Sequence, residues 1–90
     1  MKNLFDIKNK VIVITGGCGI LGKNIANYLA EQGAKIVILD RVEEAGRELE
    51  AELNRKSEAL FLVTDVLNKE VLEENKKAIL ERFGTIDVLL

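Results

Sequence analysis

The chain has 90 residues, of which 48% are hydrophobic and 31% are charged, with a formal net charge of −2. This balance is typical of a globular chain, and it offers no electrostatic attraction for nucleic acid or for an anionic membrane. The single cysteine excludes an internal disulfide framework, and the lack of histidine excludes imidazole chemistry, so no metal site is predicted. The first residues have no apolar signal segment, and we expect a cytoplasmic protein.

Four short apolar runs, spaced along the whole chain, are predicted to be strands. These runs are residues 10–14, 35–39, 59–63 and 86–90. They are continuous instead of alternating with polar residues, which is typical of strands buried on both faces of a parallel sheet.

Three apolar stripes with helical spacing separate these runs. The predicted buried stripes comprise Leu21, Ile25, Tyr28 and Leu29 in the first helix, Val42, Ala45, Leu49 and Leu53 in the second, and Leu72, Ile79, Leu80 and Phe83 in the third. Gly33 and Gly84 are predicted to end the first and third helices, and Asn68 to cap the third. The charged residues that begin with Glu43 and end with Arg55, Glu50 and Glu52 among them, are interpreted as a solvated helix face.

The resulting order βαβαβαβ predicts an α/β fold with a doubly wound parallel sheet of the Rossmann type and strand order 3-2-1-4. The last apolar run reaches Leu90, whereas domains usually end in polar residues. Residues 1–90 are therefore interpreted as the N-terminal part of a dinucleotide-binding domain whose remainder is absent. The alternative is a complete, minimal flavodoxin-like domain.

A glycine-rich turn, Thr15-Gly16-Gly17-Cys18-Gly19-Ile20-Leu21-Gly22, joins the first strand to the first helix. A helix N-terminus offers unpaired N–H groups and a partial positive charge, which suit a pyrophosphate. Gly16 is expected to make the turn, Gly19 to allow close approach of the phosphates, and Gly22 to let the helix pack on the strand. The alternative is a tight connection that binds no ligand.

Asp40 ends the second strand, 21 positions after Gly19, close to the roughly 20 expected of a ribose-binding acid. Its carboxylate would repel a 2′-phosphate, so NAD is favoured over NADP. The neighbouring Arg41 argues against this preference, because a guanidinium can bind a 2′-phosphate. A second interpretation, compatible with the first, is that Asp40 caps the second helix.

With these residues in place, the sequence resembles the short-chain dehydrogenase/reductase family over essentially all of its length. The similarity extends to the lead-in at residues 4–11, to Thr64-Asp65-Val66 after the third strand, and to the strand at residues 86–90. The resemblance implies that Asp65 and Val66 contact the adenine ring. It also implies that the pyrophosphate is held by the turn, with Gly16, Cys18, Gly19, Ile20 and Leu21 as its contacts.

The position of the middle glycine departs from the common single-domain branch of that family, which has it where this chain has Ile20. Gly19 instead matches the extended branch of sugar-nucleotide epimerases and dehydratases. The lead-in and the full second helix favour the single-domain branch, of which one subset, with reductases resembling D-mannonate oxidoreductase (fructuronate reductase), has the same glycine spacing. The resemblance implies hydride transfer between a nicotinamide cofactor and a small-molecule carbonyl, with sugar acids as the narrower candidate.

The serine, tyrosine and lysine that carry catalysis in this family cannot be placed here. Tyr28 is followed four positions later by Gln32 instead of lysine, and Ser57 precedes the third strand. We assign no catalytic residue and expect the 90-residue chain to be inactive alone and to form a homo-oligomer. An extended-branch epimerase or dehydratase, and a non-catalytic dinucleotide-binding module, remain as alternatives.

Cys18 is interpreted as a small turn residue, with a reactive thiol at the helix N-terminus as the alternative.

Overall fold

The computed structural model describes residues 6–90; of the predicted lead-in, Leu4 and Phe5 lie outside the described residues. The elements in chain order are β1 (Val11–Thr15), α1 (Ile20–Glu31), β2 (Lys35–Asp40), α2 (Glu43–Asn54), β3 (Ala59–Val63), α3 (Lys69–Phe83) and β4 (Val88–Leu89). All strand pairs are parallel and the sheet order is β3-β2-β1-β4, which confirms the predicted fold class and strand order. Strand β4 is shorter than the predicted run at residues 86–90.

The apolar runs form strands because both faces of the sheet are covered. Successive side chains of a strand point to opposite faces, so one face carries Ile12, Ile14, Ile36, Ile38 and Phe61 and packs against α1 and α2. The other face carries Val11, Val13, Val37 and Leu39 and packs against Ile79 of α3. Burial of each such side chain stabilises the fold by about 1.5–3 kcal/mol.

Helix α1 faces the sheet through small residues. It buries Ala26 and Ala30, and Leu29 packs at the edge of the core. Three residues predicted to be in the core are instead exposed, by 74%, 38% and 62% respectively: Leu21, Ile25 and Tyr28. That prediction is wrong because small side chains let a helix lie close to a sheet, and the spacing of the large apolar residues therefore marks the outer face.

Helix α2 packs even more closely, at Gly46. A Cβ on this residue would overlap the ring of Phe61. Leu49 and Leu53, on the following turns of the helix, are buried as predicted. Val42 was predicted to be buried but is exposed, because it is the N-cap residue, where the chain has not yet turned onto the sheet.

The outer edge of β3 is closed by side chains of α2. Glu50 accepts a hydrogen bond from the Phe61 N–H (2.6 Å), and the Asn54 amide exchanges two hydrogen bonds with the Ala59 backbone (2.9 and 3.1 Å). Glu50 therefore lies inward, contrary to its predicted place on the solvated face. These bonds satisfy edge groups that would otherwise be free to pair with another strand.

Helix α3 begins and ends as predicted. The Asn68 side chain accepts hydrogen bonds from the Glu70 and Val71 N–H groups (3.1 and 3.2 Å), and Gly84 ends the helix with a φ of 81°. Leu80 was predicted to be buried but is exposed, because the helix turns Asn75 and Ile79 toward the sheet. Within residues 6–90, no helix is both long and apolar enough to cross a membrane.

Because Gly46 contacts Phe61, replacing it with alanine should change the free energy of unfolding in the direction opposite to that expected from helix propensity. Gly46→Ala would gain roughly 0.5–1 kcal/mol from propensity alone. We expect it instead to lower the free energy of unfolding by about 1–3 kcal/mol, because the added methyl overpacks the core. Urea unfolding of this variant, with the exposed Glu48→Ala on the same helix as a near-neutral control, measures the difference. A stabilised Gly46→Ala protein would contradict this packing.

Candidate dinucleotide-binding site

A groove of about 290 Å³ lies at the carboxyl ends of β1, β2 and β3. A parallel sheet brings the carboxyl ends of its strands to one edge, so residues far apart in the sequence meet there. The groove is lined by Thr15, Gly16, Asp40, Arg41, Thr64 and Val66. Four of the predicted binding residues are thus brought together. The other five do not line the groove: Asp65 directly precedes Val66, and Cys18, Gly19, Ile20 and Leu21 follow Gly16 by two to five positions.

Gly16 makes the turn as predicted, whereas Gly22, which was predicted to let the helix pack on the strand, packs against the turn itself. Gly16 has a φ of +67°, in the left-handed region where a side chain is strained. A Cβ on Gly22 would lie 2.8 Å from the Gly17 Cα and 3.0 Å from the Gly16 carbonyl oxygen, so the helix can pack against the turn only without a side chain there. At Gly19, by contrast, the nearest atom to an added Cβ is 4.0 Å away, which leaves the space beside the turn open.

Among residues 6–90, no side chain caps the N-terminus of helix α1. Gly19 is its N-cap residue, no side chain makes a capping hydrogen bond, and the first turn contains no acid. Helix α3 is capped by Asn68, and α2 has Glu43 and Glu44 in its first turn. The first N–H groups of a helix have no acceptor within it, so those of Ile20 and Leu21 are available to an anion.

Asp40 connects the glycine turn to the start of α2. One carboxylate oxygen accepts a hydrogen bond from the Cys18 N–H (3.1 Å), and the other accepts from the Val42 N–H (3.2 Å). The N-cap residue of α2 is Val42, so the interpretation of Asp40 as the cap of that helix is wrong. Asp40 precedes the helix and forms a local turn with Val42 instead.

The same hydrogen bonds set the acidity of Asp40. Burial alone would raise the pKa of this carboxyl, but N–H groups of Val42, Cys18 and Arg41 stabilise the carboxylate and lower its pKa below the ordinary value. Asp40 is therefore ionised at neutral pH, in the state that can accept hydrogen bonds.

Cys18 has the opposite shift. Burial, the negative charge of Asp40 and a hydrogen bond to that carboxylate together raise the pKa of the Cys18 thiol to about 11. This shift argues against the alternative of a reactive thiol, because burial and the nearby carboxylate outweigh the effect of the helix N-terminus.

Thr64 is the site residue whose importance the sequence did not indicate. It is buried, and its N–H donates a hydrogen bond to the Asp40 carbonyl (2.8 Å), which links the ends of β2 and β3. Asp65 follows and forms a turn, its side chain accepting from the Leu67 N–H (3.0 Å), while Val66 lines the groove. The available signal was its position in the sequence, between the third apolar run and Asp65.

The two residues considered for catalysis lie away from this site. Tyr28 is exposed on α1, contrary to its predicted place in the core, and Ser57 follows α2; neither lines the groove. The Thr15 hydroxyl donates a hydrogen bond to the Leu90 carbonyl (3.0 Å), so it braces β1 against the end of β4.

Comparison with known proteins identifies the family. The profile of the short chain dehydrogenase family matches residues 10–90, and the chain belongs to this family. An oxidoreductase of Listeria monocytogenes is 41% identical over 87 residues, covering 92% of this chain and 34% of that protein. Short-chain dehydrogenase reductase 3c of Arabidopsis thaliana is 37% identical, covering 92% of this chain and 32% of that protein. The chain thus spans about a third of the length of these curated relatives.

Several solved structures superpose closely on the chain. NAD+-bound xylitol dehydrogenase gives a TM-score of 0.88 at 36% identity, covering 92% of this chain and 32% of that one. A protein of Haemophilus influenza assigned as a D-mannonate oxidoreductase, with bound NAD, gives a TM-score of 0.88 at 36% identity. The match covers 93% of this chain and 30% of that one. L-sorbose reductase of Gluconobacter frateurii, complexed with NADPH and L-sorbose, gives a TM-score of 0.86 at 30% identity. The match covers 94% of this chain and 34% of that one.

The raised pKa of Cys18 predicts an unreactive thiol. At pH 8 we expect alkylation by iodoacetamide to be about a hundredfold slower than for a free thiol with a pKa of about 8.5. Asp40→Asn removes the neighbouring negative charge and should speed the reaction, whereas Glu48→Gln, on the exposed face of α2, should not. Mass spectrometry over time gives the rates. Alkylation of the folded chain at the free-thiol rate would contradict the environment described for Cys18.

The lowered pKa of Asp40 predicts a dependence of stability on pH. Its contribution is fully present above the unfolded-state value of 3.8 and is lost as the pH falls through the lower folded value. Asp40→Asn should reduce the free energy of unfolding by about 1–2 kcal/mol at pH 7, through weaker hydrogen bonds to the turn.

This deficit of the Asp40→Asn variant should shrink as the pH falls well below 3.8, because the wild-type carboxyl is then protonated as well. Urea unfolding at pH 7 and at a pH well below 3.8 measures the loss in the free energy of unfolding, with Glu48→Gln as the exposed control. An equal deficit at both values would show that the charge of Asp40 does not support the fold.

Proposed function

We propose that this chain is the NAD-binding part of an oxidoreductase that transfers hydride between a nicotinamide cofactor and the carbonyl or hydroxyl group of a substrate. The observation that carries the proposal is the meeting, at one edge of the sheet, of an uncapped helix N-terminus, an ionised aspartate and a groove. Bound NAD would accept or supply the hydride, and the protein would bind and orient it.

The pyrophosphate would lie at the start of α1. The N–H groups of Ile20 and Leu21 have no acceptor within the helix, and the open space at Gly19 lets an anion approach the backbone. The absence of acidic residues from the first turn of α1 avoids repulsion of the phosphates. Gly16 and Cys18 hold the turn that precedes this N-terminus.

Asp40 would bind the hydroxyls of the adenosine ribose. Its carboxylate already accepts two backbone hydrogen bonds, and each carboxylate oxygen has a further lone pair for a ribose hydroxyl. A 2′-phosphate at the same place would meet this negative charge, which favours NAD. Val66, and beside it Asp65, would contact the adenine ring at the far end of the groove.

For the substrate we infer a polyol, a sugar or a sugar acid. Support comes from the similarity to xylitol dehydrogenase, to L-sorbose reductase and to the protein assigned as a D-mannonate oxidoreductase. Within residues 6–90 we assign no group that touches the reacting atoms, so this substrate class is proposed for the whole protein.

Titration of the chain with dinucleotides tests the proposal directly. NAD+ and its adenine half, ADP-ribose, should bind, and NADP+ should bind about tenfold more weakly, because its additional phosphate faces Asp40. Isothermal calorimetry gives the dissociation constants. Failure of all three to bind the folded chain would refute the site, and tighter binding of NADP+ would refute the preference for NAD.

Among the described residues that line the groove, Arg41 is the one cation, so it should account for the residual affinity for NADP+. Arg41→Ala is expected to weaken NADP+ binding about fivefold while leaving NAD+ binding nearly unchanged, since NAD has no 2′-phosphate. Arg55→Ala, just after α2, is the matched control and should change neither constant. An equal loss for both cofactors would assign Arg41 a different role.

A further inference from the structure

A buried asparagine of α3 reaches across to the end of β3, beside the groove. Within residues 6–90 the buried polar side chains are Thr64, 1% exposed, and Asn75, 8% exposed. They bond to each other: the Asn75 amide donates to the Thr64 hydroxyl oxygen over 2.7 Å. These two residues are eleven positions apart, and neither belongs to the set predicted to touch the cofactor.

The position of Asn75 on its helix is one where an apolar residue would be expected. It lies between Leu72 and Ile79 on the side of α3 that packs against the sheet. A buried amide without a partner destabilises a fold, and even a bonded one contributes less than a leucine of similar size. An asparagine here is therefore explained by the partner that it holds, which is Thr64.

Thr64 is held from three directions. Its N–H donates to the Asp40 carbonyl (2.8 Å), its hydroxyl donates to the Leu62 carbonyl (2.8 Å), and the same hydroxyl accepts from Asn75. Two walls of the groove are thus connected to α3 through one residue, Thr64. On one side is Asp40, and on the other is the turn that contains Val66.

The turn after Thr64 is fixed at its other end as well. Asp65 accepts hydrogen bonds from the Leu67 N–H (3.0 Å) and the Asn68 N–H (2.9 Å), and Asn68 caps α3. Helix α3 therefore fixes this turn twice, by its cap at one end and by Asn75 at the other. Removal of Asn75 would leave the end next to the groove held only by the strand.

We propose that Asn75 is a positioning residue for the adenine half of the cofactor. It does not touch the cofactor; it fixes Thr64, and so the spacing between Asp40 and Val66 across the groove. This inference rests on the proposed function, since Asn75 would support the groove that is proposed to bind NAD. It predicts that loss of the Asn75 amide weakens adenine-nucleotide binding even where stability is retained.

Paired variants separate positioning from stability. Thr64→Val leaves the buried Asn75 amide without its partner, and Asn75→Leu leaves the Thr64 hydroxyl with only its bond to the Leu62 carbonyl, so each should lower the unfolding midpoint. The double variant removes both polar groups and should recover most of that loss. We expect binding of 5′-AMP, measured by calorimetry, to be about fivefold weaker in both single variants and in the double variant alike.

A control on another helix makes the result specific. Asn27→Leu removes another hydrogen-bonded asparagine, on α1, whose amide bonds Glu52 (2.8 Å). It should lower stability without changing the affinity.

Wild-type affinity for 5′-AMP in Asn75→Leu, or recovery of affinity together with stability in the double variant, would overturn the inference. A wild-type chain that binds no 5′-AMP would refute the proposed function and this inference with it. Failure of the inference alone looks different, because the wild-type chain then still binds 5′-AMP. Amide hydrogen exchange without nucleotide gives a second measure. Exchange of the Leu67 and Asn68 N–H groups should be faster in Asn75→Leu, and unchanged exchange would also overturn the inference.

Discussion

The hydrogen bond between the Asp40 carboxylate and the Cys18 N–H is the interaction on which the site depends. It connects the end of β2 to the glycine turn that begins α1, and a second bond from the Val42 N–H fixes the same carboxylate on its other side. The charge that would select the cofactor is thus part of the framework that shapes the turn. Any change that redirects cofactor preference by replacing Asp40 will also loosen the turn, because one side chain performs both tasks.

Close packing of small residues is the second constraint. Ala26 and Ala30 bring α1 onto the sheet, Gly46 brings α2 onto Phe61, and Gly22 brings the start of α1 onto the turn. These contacts determine where the N-terminus of α1 lies relative to the groove. The position of the anion-binding N–H groups is therefore a consequence of packing between helix and sheet.

Much of this was predictable from the sequence, for physical reasons that differ between elements. The continuous apolar runs identify strands buried on both faces, and the alternation with helices limits the topology to few choices, so the order β3-β2-β1-β4 was predicted correctly. Asn68 and Gly84 were predictable because helix ends depend on local chemistry. The meeting of Gly16, Asp40, Arg41 and Val66 followed from the parallel sheet itself.

What the sequence did not reveal depends on contacts between distant residues. The buried face of α1 was misassigned because size, not hydrophobicity, decides which residues fit against the sheet, and Tyr28 and Ile25 lie on the outer face. The pKa of Cys18 could not be predicted because it depends on how deeply the thiol is buried and on how near the Asp40 carboxylate lies. The bond between Thr64 and Asn75 joins two elements through side chains, and no local pattern indicates such a pairing.

The central claim is that the edge of the sheet formed by the glycine turn, Asp40 and Val66 binds NAD. The most direct measurement is an amide NMR titration of the ¹⁵N-labelled chain with NAD+. The account predicts saturable shifts at Cys18, Gly19, Ile20, Leu21, Arg41 and Val66, with the amides at the far ends of the strands unaffected. A titration that leaves these signals in place, or that moves signals at the N-terminus of α3 instead, would contradict it.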